Sequence, residues 1–236
     1  MATGSHYGLF LSLLRQLALA LIFSSTFPLP MFAASIAATL TARYARSPEY
    51  SLLCVTPLSD AGIVKGCMLA ALRRCRALLT LMLGLTPVIE VLLAELVMIF
   101  AIRPFSSWTV YDGIVAQVDV GVWGIVLKHV LATIMLALGM LGVNLLAIVF
   151  GVLFGLWWHT SNLPASAAII STWGTVVPIA YCLHRAVVSV RISDVFLHHI
   201  LQYILFAPFP YLIALGCMRL AQRWARKPGC QSVPQE

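Results

Sequence analysis

An all-α, polytopic transmembrane helical bundle is the fold class this sequence predicts, and three observations predict it. Of the 236 residues, 61% are hydrophobic and only 10% charged, with a mean hydropathy of +0.96. An ordinary soluble domain carries about 25% charged residues, so this apolar surplus has no soluble core large enough to hide it. The apolar residues also fall into runs of at least the ~20 residues that a helix needs to cross about 30 Å of hydrocarbon. Finally, the Lys and Arg residues collect at the ends of those runs. In lipid every backbone polar group must bond internally, so the runs are helices; strand-type alternation is absent.

Taken in order, the spans fall at about 17–43, 77–101, 130–157, 164–186 and 197–221 in one membrane domain, 1–236. The opening MATGSHYGLF lacks a basic stretch and a small-residue cleavage site, and reads as retained. The first span carries Pro28 and Pro30 near its middle. Six spans is the alternative, with 8–42 turning at Pro28-Leu29-Pro30, but the second half would then have too few apolar residues before Arg43 to cross comfortably. Prolines in the first, second, fourth and fifth spans predict kinks.

Orientation follows the basic residues. The loop 44–76 and its edge carry Arg43, Arg46, Lys65, Arg73, Arg74 and Arg76, and the tail 222–236 carries Arg223, Arg226 and Lys227. The other connections are poorer, with Arg103 and Lys128 in one and Arg185 and Arg191 in another. The positive-inside rule places the loop and the C-terminus in the cytoplasm of a cell-membrane protein. Trp157, Trp158 and Trp224 then mark the inner interface, and Trp108 and Trp123 belong to the outer side. The net charge of +7 reflects this topology, and no nucleic-acid partner is expected.

The loop holds the most specific pattern. A short apolar run, 52–55, leads into Thr56-Pro57-Leu58-Ser59-Asp60. Ser59 or Asp60 is placed to cap a new helix, because a short oxygen-bearing side chain accepts from the orphan amides of the first turn. Ile63, Val64, Cys67, Met68, Ala71 and Leu72 would form one apolar stripe of that helix. It is expected to lie along the membrane surface and lead into the second span.

These residues resemble the permease subunits of type-2 ABC exporters, whose cytoplasmic loop typically reads E-R-E-x-G-T-L-E-L-L-L-x-T-P-L-S-x-x-E-I-V-x-G-K-x-L-x-A-L. The matches are Leu52-Leu53, Thr56-Pro57-Leu58-Ser59, Ile63-Val64, Gly66, Leu69, Ala71 and Leu72. The specific likeness covers about 30 residues, and 155–168 is similar to the family's short inner turn. The chain departs from the pattern around Tyr44 and Arg46, where acidic residues are usual, at Gly62 for glutamate and at Cys67 for lysine. The resemblance implies a coupling helix that docks on a separate ATPase subunit, through Thr56, Pro57, Leu58, Ser59, Asp60, Ile63 and Val64. Asp60, Arg73 and Arg74 are candidate polar contacts there, or equally a helix cap and ordinary positive-inside residues.

Within the spans, Glu90 and Glu95 are expensive in hydrocarbon and should face protein or water, or be protonated. They stand about 140° apart on an ideal helix. Each reads either as a position in a translocation path or as half of an interhelical pair with Arg, Lys or His. Asn144 offers hydrogen bonds across a helix contact, and Gly151 and Gly155 form a G-x-x-x-G that lets backbones approach, a packing signal compatible with a homodimer. His129, His184, His198 and His199 lie near span ends and read as interfacial.

Catalytic signatures are missing: no H-E-x-x-H, no Walker A loop and no C-x-x-C among the six cysteines. No catalytic residue, metal or cofactor is therefore expected, and any ATP would be hydrolysed on another chain. The functional expectation is a permease-like subunit embedded in membrane lipid and driven by a separate ATPase. The alternative is a non-catalytic accessory or scaffold subunit of a larger membrane complex.

Overall fold

The computed structural model describes residues 28–55, 59–102, 122–158, 163–189 and 195–225, together with Leu13, Gln16 and Ala20. Among them run seven helices and no strand: α1 (Pro28–Ala45), α2 (Pro48–Val55), α3 (Asp60–Ile102), α4 (Val122–Trp157), α5 (Leu163–Ser189), α6 (Val195–Phe206) and α7 (Pro208–Trp224). Four stretches are long and apolar enough to cross a membrane: Asp60–Leu92, Val126–Trp157, Leu163–Ala186 and Ile200–Trp224. The chain is thus an all-helical membrane protein with four candidate spans among its described residues, where the sequence predicts about five.

The predicted span not among these four is the first. α1 begins at Pro28, so Pro28 and Pro30 occupy its opening turn, where a missing N–H leaves no bond unmade. Most of 17–27 lies outside the described residues. Of the remaining prolines, Pro87 and Pro178 sit within continuous helices. Pro208 opens α7 directly after α6, with Ala207 between them in helical dihedrals.

The helix expected to start at Ser59 or Asp60 and lead into the second span is continuous with that span: α3 is a single helix of 43 residues that begins at Asp60. At 1.5 Å per residue it is about 64 Å long, roughly twice the hydrocarbon thickness. No proline or turn signal interrupts it between Asp60 and Ala77. Its apolar stripe is not presented outward. Ile63, Val64, Cys67 and Ala71 are buried in the core with Ala33, Ala34, Ala37 and Ala38 of α1 and with Ala221 of α7.

α4 is the centre of the bundle. In an apolar 18-residue stretch of its candidate span 78% of residues are buried, against 17–28% in such stretches of the other three, as suits a helix that is apolar all round. It packs against α1, α3, α5, α6 and α7. Glycines on opposite faces set two of these contacts. A Cβ on Gly151 would stand 2.6 Å from the Ala34 carbonyl oxygen and from Ala37 Cβ, and one on Gly155 would stand 2.8 Å from Thr41 Cβ. On the other face, a Cβ on Gly142 would meet the Tyr211 ring at 2.7 Å, and the Tyr211 hydroxyl donates to the Leu138 carbonyl at 2.8 Å. The G-x-x-x-G face is therefore occupied by α1 of the same chain, and a homodimer would have to use another surface.

Candidate functional site

Two regions collect the residues of interest, one at each end of the bundle. In the first, α3 brings Glu90 against His129 near the start of α4. The carboxylate is wholly buried, and His129 Nδ1 lies 3.1 Å from Oε2 and 3.3 Å from Oε1. The His129 side chain is 33% exposed, so the imidazole lies between the surroundings and a carboxylate with no exposure of its own. Of the two readings of Glu90, the interhelical pair is the one the geometry contains. The side chains of Glu95, His198 and His199 lie outside the described ones.

The polar layer continues inward. Asn144 Nδ2 donates to the Met140 carbonyl at 2.9 Å and to Met82 Sδ at 3.2 Å, so it ties α4 to α3. Thr86, buried beside Glu90, returns its hydroxyl proton to the Met82 carbonyl at 2.9 Å. A cavity of about 140 Å³ opens next to this layer, walled by Pro30, Met140, Asn144, Trp173, Tyr203 and Phe206. Outside the cavity, Gln202 Nε2 and His184 Nδ1 meet at 2.9 Å and join α6 to α5. Among the described residues no three His, Cys, Asp or Glu side chains converge as metal ligands.

The second region is the loop. Thr56, Pro57 and Leu58 lie outside the described residues. Ser59 is the cap of α3: its Oγ accepts from the Gly62 N–H at 3.2 Å, and its carbonyl accepts from the same N–H at 2.8 Å. Asp60 opens the helix as the first-turn acid, favourable at the positive end of the macrodipole. Ile63 and Val64 are buried, so they hold α3 in the bundle and leave no surface for a partner. The projecting part of the loop is instead α2, where Pro48 and Glu49 are exposed and Leu52 is 65% exposed.

Tyr50 anchors α2. It is fully buried, and its hydroxyl donates to the carbonyl of Ala225, just past the end of α7. Its ring meets Tyr44 edge-on, with centroids 5.4 Å apart. Partial burial, then the nearby Cys67 and Glu49, push the Tyr44 phenol above its ordinary value. From Ala225 an aromatic series continues: Trp224 lies 5.2 Å from Trp157, which stacks on Trp158 at 4.6 Å. The tryptophans at predicted inner interfaces thus converge. The tyrosines were not foreseen, because nothing local in the sequence signals a bond spanning 175 residues; the only hint was an aromatic residue within an exposed turn.

No family model, curated protein or solved structure matches this chain.

Proposed function

We propose that the chain is a permease-like transmembrane subunit of an export system, in which a separate ATPase drives movement of the spans. The resemblance of 52–72 to the type-2 ABC permease loop supports this reading. The observation that carries it is mechanical. A short helix, α2, which exposes Pro48, Glu49 and Leu52, precedes α3, and α3 runs without a break from Asp60 past Glu90. Asp60 and Glu90 are 30 residues apart, about 45 Å along one helix. A push on α2 would be passed to α3 through the loop and to α7 through Tyr50. Because packed interfaces shift between discrete arrangements, the responsive parts would be the Glu90–His129 pair and the cavity beside Tyr203.

On this reading the ATPase contact belongs to the face of α2 that carries Glu49 and Leu52, with Ser59 and Asp60 shaping the turn above it. Ile63 and Val64 act from inside the bundle. The membrane is the cell membrane, with α2 and the end of α7 in the cytoplasm.

The experiment is purification from native membranes with identification of partners, for the wild type and for Leu52→Glu. An ATPase chain should co-purify with the wild type and be lost with the variant, whose exposed position leaves the fold intact. Isolation within an assembly that contains no ATPase would remove the proposal. The accessory-subunit reading would then stand, and one observation favours it: the internal cavity, about 140 Å³, is smaller than the roughly 300–1,000 Å³ typical of ligand pockets.

A further inference from the structure

α3 carries two grooves in line on one face. The lower, about 480 Å³, lies between α1 and the start of α3 and includes Tyr44, Gly62, Gly66, Cys67 and Ala70 in its wall. The upper, about 610 Å³, follows α3 itself and is lined by Arg76, Ala77, Thr80, Leu81, Gly84 and Leu85. At 100° per residue the two sets share one side of the helix. Both volumes fall within the roughly 300–1,000 Å³ range of ligand pockets.

Between the grooves stand arginines. Arg73 and Arg74 follow Ala70 by three and four residues and precede Ala77 by four and three, so they occupy the same face. Arg73, Arg74 and Arg76 are all exposed, and among the described residues no acidic side chain pairs with them. Guanidinium groups bind phosphate oxygens with two parallel hydrogen bonds. The upper groove is apolar and runs toward the membrane interior. The lower one faces the loop, and two of its wall residues, Gly62 and Cys67, are the positions where the permease-type pattern has charged side chains.

We propose that this face of α3 is a binding site for one anionic phospholipid of the inner leaflet. One acyl chain lies along 77–85, the phosphate sits over Arg73, Arg74 and Arg76, and the headgroup rests over the lower groove beside Tyr44. Charge complementarity selects the occupant: three cations, unpaired among the described residues, between two mostly apolar grooves match a lipid phosphate. The site depends on the membrane reading of the chain and not on coupling to an ATPase.

The glycines make the test clean. A Cβ added to Gly84 meets nothing within 4 Å, so Gly84→Leu fills the upper groove without a clash and replaces a poor helix former. The full chain is placed in nanodiscs of equal parts phosphatidylcholine and phosphatidylglycerol, and retained lipid is read by native mass spectrometry. Phosphatidylglycerol should be kept in clear excess. Arg73→Gln, Arg74→Gln and Arg76→Gln should each lower that excess about fivefold, at about 1 kcal/mol per basic residue, and Arg76→Lys should preserve most of it. Gly84→Leu should abolish retention while circular dichroism stays helical, whereas Gly174→Leu on α5, another open position, should retain the lipid. Equal retention of the two lipids by the wild type, or unchanged retention in Gly84→Leu, would overturn the site. A groove that serves an acidic protein partner instead would give the first of these results.

Discussion

Toward Ala45 and Trp157, α1 and α4 meet through alanine, glycine and threonine, backbone close to backbone. Toward Leu29 and Leu136, the surroundings are large side chains, a buried carboxylate and a cavity of about 140 Å³. The end toward Trp157 holds together by shape. Ala34, Ala37, Ala38, Thr41 and Ala42 present small side chains opposite Gly151 and Gly155, and such close approach is the main source of helix association where lipid is as apolar as the side chains. The end toward Leu136 depends on polar bonds whose partners reside on different helices: Glu90 with His129, Asn144 with Met82. One end is closely packed, and the other leaves room beside its polar bonds.

The contrast can be broken most severely at the end toward Trp157. Gly151→Leu would drive a side chain into the Ala34 carbonyl and Ala37, and overpacking of this kind costs about 3 kcal/mol at the upper end. Unfolding in bicelles should show that loss. A variant as stable as the wild type would mean that the α1–α4 contact is looser than described.

The Glu90 end should respond to polarity and not to volume. His129→Ala leaves the Glu90 side chain buried without its imidazole, at a cost of about 2 kcal/mol for an unsatisfied buried group. Glu90→Gln in the same background should recover much of it, because the unpaired buried acid is gone. A double-mutant cycle measures the coupling, and strictly additive losses would show that the two side chains do not act together.

Smaller again is the tie between the loop and the last helix. Tyr50→Phe keeps the ring against Tyr44 and removes only the hydroxyl bond to Ala225, for about 1 kcal/mol. Hydrogen exchange should rise in α2 and at the end of α7 together; a rise in one without the other would argue that the bond does not link them. At the far end of the scale, a Cβ on Gly174 or Gly216 meets nothing within 4 Å. Gly174→Ala should change stability by less than about 1 kcal/mol, in the stabilising direction. A large loss there would mean that tight and open glycines cannot be told apart by the space around them.

The loop shows how far sequence pattern reaches. Ser59 and Asp60 announced the start of α3 by local chemistry, and the apolar stripe through Ile63, Val64, Cys67 and Ala71 was visible as periodicity. Periodicity says that a face is buried without saying against what, so the stripe read as surface-lying although it packs on α1 and α7. Likewise Glu90 was conspicuous as an acid in an apolar run, but its partner was one of several histidines near span ends. Only the folded arrangement of α3 and α4 brings His129 to it across 39 residues.

The sequence by itself determined that this is a helical membrane protein, because its apolar surplus and the obligation to close backbone hydrogen bonds in lipid are properties of composition and chain chemistry. It also determined where Gly151 and Gly155 permit close approach. Only the tertiary structure decided what those features meet: that the glycines take α1 of the same chain, that α3 continues from the loop through the bundle, and that Tyr50 reaches Ala225. The physical reason is that propensity and periodicity act within a few turns of one helix, whereas each of these contacts joins helices whose relative placement no local pattern encodes.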